Sequence, residues 1–347
     1  AWGKTQGSRE DVVAVIDTGV DIDHPDIAGN LWTNKDERVD GLDNDHNVYI
    51  DDVNGWDFVS GDNDPSPDIF EREVRPQAIH HGTVLAGLLG AVGNNGIGGV
   101  GIAWNVRIMP LRALDSRGRG NVGTVMEAVR YAVNRGAHII NLSFVGPGFD
   151  RDLFLTLQDA YKKGVLVVAA VGNKEDGQGT DLDLTPLYPV CYSGGTGEDV
   201  VLWVAAVDDQ DKKSTFSNFG ANCVDISAPG SNMYGPQYHN PAQGFITPFG
   251  NNWSGSSMAT PLVSGTAALI KSLNPAFGAK EIRDMLLRSA DPIDDANPSM
   301  RGKLGAGRLN AARAVELAST GGGGVFLSGS RGVPYLLVAP FSRDVPE

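Results

Sequence analysis

Short runs of apolar, β-branched residues alternate along this chain with segments that repeat at the spacing of a helix. Strands that alternate with helices form a parallel sheet with helices packed on both of its faces. The pattern therefore predicts an α/β fold, doubly wound around a mostly parallel central sheet. The predicted strands are 11–16, 106–111, 139–143, 165–170, 200–207 and 224–228, and the predicted helices are 81–90, 122–134, 152–163, 257–273, 280–289 and 309–318.

Charge and hydropathy exclude several classes of partner. The 347 residues include 28 basic and 42 acidic side chains, a net charge of −14. This balance opposes binding to nucleic acid or to an anionic membrane, and it is compatible with cation binding. No apolar run approaches twenty residues, so we expect no membrane span. No signal peptide is visible, and the abrupt start at Ala1 suits a processed form.

The chain contains two cysteines, Cys191 and Cys223, which allow a single pairing. A disulfide would suit an oxidising compartment, and two buried free thiols are the alternative. The sequence leaves both alternatives open.

We expect one domain over residues 1–318, because the chain shows neither an internal repeat nor a second core. Residues 34–68 are dense in Asp and Asn and predict an acidic surface insertion. Four glycines at 321–324 mark residues 319–347 as a linker and tail. An apolar stretch at 333–338 predicts either an edge strand or a docked tail.

Three polar residues, Asp17, Ser143 and Asn173, each fall at the end of a predicted strand. Ligands of parallel α/β sheets bind beyond the carboxyl ends of the strands. A fourth, Ser257, begins a helix that is apolar on several sides, as in a helix that crosses a core. Its hydroxyl would lie beside free backbone N–H groups at the positive end of the helix, although many core helices simply begin with a serine cap.

Four short motifs carry these residues: Asp17-Thr18-Gly19, His81-Gly82-Thr83, Gly172-Asn173 and 255–261, which reads GSSMATP. Together, and in this order, they resemble the subtilisin-like serine protease family, or subtilases, over residues 1 to about 318. The resemblance implies a subtilisin-like fold and a serine endopeptidase.

The resemblance assigns a role to each group. A serine hydroxyl is a poor nucleophile, so a base must accept its proton as it attacks. His81 is that base, Asp17 orients it, and the Asn173 amide and the Ser257 N–H receive the developing oxyanion. The adjacent His80 stands where the family usually has glycine. Two further departures are Val84, where the family tends to have histidine, and Ser256, where it has threonine.

Two segments match the walls between which this family holds a peptide as an added strand. The family usually has glycine at the position of Val145, so a valine there is expected to narrow the first pocket or to shift the strand. The substrate-binding residues that the resemblance implies are Gly118, Arg119, Gly120, Ser143, Phe144, Val145 and Gly146.

Calcium is the cofactor that the resemblance implies. The loop at 94–98 resembles a high-affinity calcium loop of the family. Its surroundings offer carboxylate, amide and carbonyl oxygens, which suit this hard cation. Its predicted ligands are Gln6, Asp26, Gly93, Asn95, Ile97 and Gly99.

The acidic insertion holds a second candidate calcium site, because its oxygen-bearing residues alternate as in an EF-hand loop. The loop departs from that pattern at Val48, where glycine is expected, and at Asn54, where glutamate is expected. The predicted ligands are Asp43, Asp45, Asn47, Tyr49 and Asp51.

Two other functions compete with hydrolysis on this fold. A peptide ligase or macrocyclase would need a lid that excludes water, and no segment marks one. A non-catalytic pseudoprotease would bind peptide, but the four catalytic residue types are intact. We expect a secreted monomer that acts on polypeptides and is inhibited by a cleaved pro-segment.

Overall fold

The computed structural model describes residues 1–174, 177–192 and 199–320. Its centre is a seven-stranded sheet in which all neighbouring strands are parallel, in the order β2-β3-β1-β4-β5-β6-β7. The strands are β1 (Val12–Asp17), β2 (Trp56–Asp57), β3 (Arg107–Arg112), β4 (Ile139–Leu142), β5 (Leu166–Ala170), β6 (Val201–Val207) and β7 (Ile226–Pro229). The fold class predicted from the sequence is confirmed.

Two apolar cores cover the two faces of the sheet, because alternate residues of each strand point to opposite sides. Val13 and Val15 of β1 lie in one core, whereas Val12, Ala14 and Ile16 lie in the other. Helices α1 (Pro76–Gly90), α4 (Ser256–Leu273), α5 (Ala279–Ser289) and α6 (Ala311–Ser319) contribute to the first core, and α2 (Val122–Asn134) and α3 (Arg151–Lys162) to the second.

Local sequence signals fix where the second pair of helices begins. The Asn121 side chain accepts a hydrogen bond from the Thr124 N–H, and Asp150 accepts one from the Leu153 N–H. Each cap satisfies a backbone donor that the first turn leaves without a partner. The observed bounds of α2 therefore match the predicted ones, and those of α3 differ by one residue.

Helix α4 passes through the core, as its all-round apolar pattern predicts. Every residue from Ser256 to Lys271 is buried, and Pro261 lies in the first two turns. Gly265 permits close packing, since a Cβ there would lie 2.7 Å from the Ile102 Cβ. A core helix of this kind holds its N-terminus firmly at the carboxyl edge of the sheet.

Several elements lie outside the sequence prediction. Helix α1 begins at Pro76 and not at His81, because Pro76 occupies its first turn, where a proline fits well. The short strand β2 and an antiparallel pair, β8 (Met233–Pro236) and β9 (Phe249–Trp253), were also unpredicted. Three short 3₁₀ helices occupy Ala28–Asn30, Pro241–Gln243 and Pro298–Met300.

The two cysteines form a disulfide, Cys191–Cys223, so the structure decides the question that the sequence left open. Within the described residues no helix combines the length and the apolar character needed to cross a bilayer. The predicted linker and tail after residue 320 lie outside the described residues, as does the apolar stretch at 333–338.

Candidate functional site

Asp17 and His81 form a close pair at the carboxyl edge of the sheet. Asp17 ends β1 and is fully buried, and its Oδ1 lies 2.6 Å from the His81 Nδ1. The same oxygen accepts a hydrogen bond from the Thr18 N–H at 2.8 Å, and the Thr18 hydroxyl oxygen lies 3.2 Å from it. Because Nδ1 faces the carboxylate, the other ring nitrogen, Nε2, is the one that remains to accept a proton.

Gly82 and Thr18 lie where α1 meets the turn after β1. Gly82 faces the turn after Asp17, and a Cβ there would lie 2.1 Å from the Gly19 carbonyl oxygen. The Thr18 hydroxyl donates to the Ala78 carbonyl at 2.6 Å and accepts from the Gly82 N–H at 3.3 Å. The turn and the helix are therefore tied together on both sides of His81.

The environment of His81 works on its pKa in two opposed ways. Burial alone would lower the pKa, because it disfavours the imidazolium, but the charge of Asp17 and the hydrogen bond to it raise the pKa above its ordinary value. Asp17 thus stabilises the protonated ring, which is the form that a general base reaches when it accepts a proton.

His80 faces a different part of the molecule. Its ring packs edge-on against Phe245 and Trp253, with centroids 5.4 and 5.9 Å apart. Burial lowers its pKa, and its Nδ1 is buried without a hydrogen-bond partner in the described part of the chain. Of the two adjacent histidines, only His81 contacts Asp17.

Ser257 is the second residue of α4 and is 8% exposed. Its hydroxyl donates to the Ser143 carbonyl oxygen at 3.0 Å, and the Ser143 hydroxyl donates in return to the Ser257 carbonyl at 3.2 Å. The structure therefore joins Ser257 to the end of β4. In this arrangement the hydroxyl is bonded to Ser143 and not to His81.

Asn173 lies beside the start of α4, after the left-handed turn at Gly172. Its Oδ1 accepts a hydrogen bond from the Ser256 N–H at 2.9 Å. A Cβ on Gly255 would lie 3.3 Å from the Asn173 Nδ2, so the NH₂ group faces the backbone just before Ser257. A hydrogen bond thus holds the Asn173 amide oxygen, and the Asn173 NH₂ group faces the start of α4.

Both predicted substrate segments line one cavity of about 410 Å³. Gly118, Arg119 and Gly120 form one wall, and Phe144, Val145 and Gly146 form the other. Gly146 exchanges two backbone hydrogen bonds of 2.8 Å with Tyr188, and these bonds hold the end of the 143–146 segment in place. Ser143 does not line this cavity and contacts Ser257 instead.

Val145 reaches the turn that carries Asn173. Its Cγ2 lies 2.7 Å from the position that a Cβ on Gly172 would occupy. The valine therefore closes the gap between the two segments that meet at Ser257. The effect of Val145 on the first pocket stays a prediction.

The first predicted calcium loop folds onto Asp26, which is fully buried. The Asp26 carboxylate accepts hydrogen bonds from the Asn95 side-chain amide at 2.7 Å and from the Gly99 N–H at 3.2 Å. The Asn95 oxygen accepts the Ile97 N–H at 3.1 Å. One protein donor thus contacts each carboxylate oxygen, and the Gln6 backbone carbonyl accepts a hydrogen bond from the Asn105 N–H. Gly93 packs against the Trp104 ring.

The acidic insertion gathers a different set of carboxylates from the one predicted. Asp43 accepts the N–H groups of Asn47 and Val48, and Asp51 accepts those of Asp40 and Gly41. Their oxygens therefore close turns of the loop and do not join Asp45. The Asn47 side-chain oxygen accepts a hydrogen bond from the Tyr49 N–H at 2.6 Å.

One predicted ligand, Asp45, converges with two carboxylates that were not predicted: Glu37, Asp45 and Asp52 each offer an oxygen, and these atoms lie within 4.8 Å of one another. Asp52 is fully buried and accepts the Tyr131 hydroxyl at 2.5 Å. Asp45 pairs with Arg135 through Oδ2, and its Oδ1 is buried without a partner among the described residues. An all-oxygen set with an unsatisfied buried oxygen fits a hard divalent cation.

Sequence reasoning overlooked several of these residues. Thr18 and Asn141 stood inside segments already singled out, and Asn141 interrupts an apolar strand, which is a signal of a buried polar contact. Glu37 and Asp52 lay in the acidic insertion but outside the alternating pattern. The convergence of Asp52 with Tyr131 depends on a contact 79 residues apart, which no local spacing reveals.

Comparison with known proteins places these features in context. The profile of the subtilase family matches residues 8–311. Thermitase from Thermoactinomyces vulgaris is 34% identical over 316 residues, which cover 91% of this chain and 92% of the relative. The thermophilic serine proteinase of Bacillus sp. strain AK1 is also 34% identical, and the match spans 64% of its length. Subtilisin-like protease 1 of Plasmodium falciparum is 30% identical, with 43% of its length matched.

Solved structures show the same architecture. A protease from Pseudoalteromonas arctica matches with a TM-score of 0.71 and 26% identity, over 92% of both chains. A lanthipeptide protease matches with a TM-score of 0.67 and 24% identity, over 91% of this chain and 90% of the other, a likeness that concerns the fold alone.

Proposed function

Because this chain belongs to the subtilase family and is a serine endopeptidase, we propose that Ser257 is its nucleophile, His81 its general base, Asp17 the residue that orients His81, and Asn173 an oxyanion donor. The observation that supports this assignment best is the Asp17–His81 contact of 2.6 Å at the same sheet edge as the start of α4. The assignment makes one reaction centre from the ends of β1, β4 and β5, the second turn of α1 and the first turn of α4.

The proposed reaction begins when the Ser257 hydroxyl leaves the Ser143 carbonyl by rotation about its Cα–Cβ bond. The oxygen attacks the peptide carbonyl carbon while His81 Nε2 accepts its proton, and Asp17 stabilises the resulting imidazolium. The Asn173 NH₂ and the Ser257 N–H stabilise the tetrahedral oxyanion. The imidazolium then protonates the leaving amine, and water, activated by the same base, hydrolyses the acyl-enzyme.

Rotation of the hydroxyl has a second effect in this proposal. It frees the Ser143 carbonyl, which is then an acceptor for a substrate backbone N–H at the mouth of the cleft. Gly118, Arg119 and Gly120 on one side and Phe144, Val145 and Gly146 on the other supply the walls. Backbone pairing gives affinity for many peptides, and the pockets give preference.

A mixed peptide library analysed by product mass tests the reaction against its alternatives. Hydrolysis gives two fragments whose masses together equal the mass of the peptide plus one water, whereas a ligase or macrocyclase gives joined or cyclic products. A pseudoprotease gives unchanged peptides. Dominance of joined products, or peptide binding without any cleavage, would contradict the proposal.

We expect the activity to fall as the pH is lowered, because His81 must be neutral to accept a proton. Asp17 raises the pKa of His81, so the midpoint of the fall in kcat/KM should lie above the ordinary histidine value of about 6.5. Below that midpoint, kcat/KM should fall about tenfold per pH unit. The measurement is kcat/KM from pH 4 to 9 on one peptide. His80→Gln is the matched control and should keep the midpoint, and a rate that stays constant from pH 5 to 8 would contradict the role of His81.

We also propose that calcium stabilises the fold, with Glu37, Asp45 and Asp52 as ligands in the insertion. The evidence is their convergence within 4.8 Å and the unsatisfied Asp45 Oδ1. The ion would neutralise the mutual repulsion of three carboxylates, two of them buried and Asp45 nearly so. The Asp26 loop is the second candidate, since among the described residues the group of converging carboxylates lies at Glu37, Asp45 and Asp52 and not at Asp26.

Removal of calcium is therefore expected to lower the melting temperature. An ion present at a hundred times its Kd stabilises by about 2.7 kcal/mol, which amounts to roughly 5 °C for a protein of this size. Excess EDTA should remove this gain, and Glu37→Gln should weaken calcium binding measured by titration calorimetry. Asp209→Asn, a change at an exposed aspartate, is the control. An unchanged melting temperature in EDTA would exclude a structural ion.

Further proposals concern the setting of the enzyme. We propose that it is secreted, and the disulfide supports this because such bonds persist in oxidising compartments. Its substrates are polypeptides, and we propose inhibition by a cleaved pro-segment and a monomeric state. We also propose that residues 1–318 form one peptidase domain, which contains the acidic insertion at 34–68. Activity found only in the cell pellet, or a dimer by light scattering, would contradict two of these proposals.

A further inference from the structure

A chain of buried polar groups runs beneath the proposed nucleophile. The Ser264 hydroxyl donates to the Asn141 Oδ1 at 2.9 Å, and the Asn141 Nδ2 donates to the Ser143 hydroxyl at 3.1 Å. Ser143 then contacts Ser257 through two hydrogen bonds, one in each direction. The chain therefore links the middle of α4, through β4, back to the start of α4.

These groups lie in the interior of the protein. Ser264 and Asn141 are fully buried, and Ser143 is 5% exposed. Asn141 lies in a central strand, with Val15 of β1 and Val168 of β5 as its neighbours in register. A polar side chain in such a place costs free energy unless its hydrogen bonds are made, and here both ends of the Asn141 amide are bonded. A valine or leucine would fill the space without that requirement.

The geometry of the chain gives it a consequence for the reaction. Ser143 supplies the carbonyl on which the Ser257 hydroxyl rests, and its own hydroxyl holds the Ser257 carbonyl in the first turn of α4. The position of Ser143 thus helps to set the position of the Ser257 backbone, about which the reacting hydroxyl rotates. Small displacements at a reacting centre have large effects on rate, about a hundredfold for 1 Å.

We propose that Ser264 and Asn141 are positioning residues, which hold Ser143 and, through its hydrogen bond to the Ser257 carbonyl, the backbone from which the Ser257 hydroxyl turns to attack. Neither touches the substrate. The inference depends on the proposed role of Ser257 as the nucleophile, and it adds a cause for that residue's placement.

The test compares two buried hydroxyls on the same helix. The Ser264 hydroxyl bonds across to β4, whereas the Thr266 hydroxyl donates to the Leu262 carbonyl of its own helix at 2.8 Å. Ser264→Ala should lower kcat by about three- to tenfold with KM changed by less than about twofold, because one buried hydrogen bond is lost. The rate at which a fluorophosphonate inactivates the enzyme should fall by the same factor. Thr266→Val should leave both rates within about twofold of the native enzyme.

A double-substitution cycle adds a readout that a purely structural role would not change. Ser264 and Ser143 are connected through Asn141, so the loss in Ser264→Ala/Ser143→Ala should not exceed the larger single loss by more than about twofold. Ser264→Cys, which keeps a weak donor of similar shape, should recover part of the activity and serves as the second variant if the alanine variant does not fold.

Two outcomes would overturn the inference: equal losses of kcat in Ser264→Ala and Thr266→Val, or losses in the double variant that equal the product of the single ones. Both outcomes leave the proposed nucleophile untouched. Full activity in Ser257→Ala would instead contradict the proposed function itself.

Discussion

Replacement of Ser257 by alanine is expected to lower kcat for peptide hydrolysis by about 10⁶-fold, a magnitude that comes from subtilisin, a member of this same family. The reason is that the proposed mechanism makes the Ser257 hydroxyl the attacking group, with His81, oriented by Asp17, as its base and Asn173 as a donor to the oxyanion. Folding should change little, since the hydroxyl makes one hydrogen bond, to the Ser143 carbonyl, worth about 1 kcal/mol. The measurements are kcat, denaturant unfolding and labelling by a fluorophosphonate.

The adjacent serine provides the control for this prediction. The Ser256 hydroxyl is buried and has no hydrogen-bond partner in the described part of the chain, while its backbone N–H contacts Asn173. Ser256→Ala removes the hydroxyl only, so it should keep kcat within about threefold and still accept the label. A label found on Ser256, or activity that survives in Ser257→Ala, would show that another residue attacks the peptide.

The sequence predicted most of the sheet and its flanking helices because strong local signals determined them. Apolar runs such as 165–170 have the length of a buried strand, and capping residues such as Asn121 and Asp150 mark helix starts. The β8–β9 pair was missed for the opposite reason. It carries Gly235, Pro236 and Asn251, with an irregular register at Met233, so no alternation marks it as strands.

The candidate site was likewise predicted in part from local patterns and missed in part. The motif around Ser257 and the Asp17–His81 pair followed from local patterns and from a family resemblance, and the structure brings Asp17 and His81 together. The carboxylate cluster of the acidic insertion was not predicted, because its members come together through contacts in three dimensions and not through spacing in sequence. Asp51 closes a turn, whereas the next residue, Asp52, enters the interior and meets Tyr131. Alternating spacing in sequence does not distinguish these two roles.

Replacement of Asn173 by alanine is expected to lower kcat by about 10²–10³-fold, a magnitude that comes from the corresponding donor of subtilisin in this same family. KM should change little, because the amide bonds to the oxyanion, which exists only in the transition state and the intermediate. The structure supplies the reason for this specificity: the Asn173 oxygen is held by the Ser256 N–H, which leaves the NH₂ group to face the start of α4.

Asn173→Asp separates the orientation of the side chain from its donation. Aspartate keeps the shape of asparagine and the acceptor for the Ser256 N–H, but it places a negative oxygen where the NH₂ group was. If donation matters, this variant should lose at least as much kcat as Asn173→Ala, since a carboxylate repels the oxyanion. If the side chain only braces α4, the aspartate variant should remain close to the native rate while the alanine variant loses stability. Steady-state kinetics and unfolding curves for the two variants therefore decide between an oxyanion donor and a structural brace.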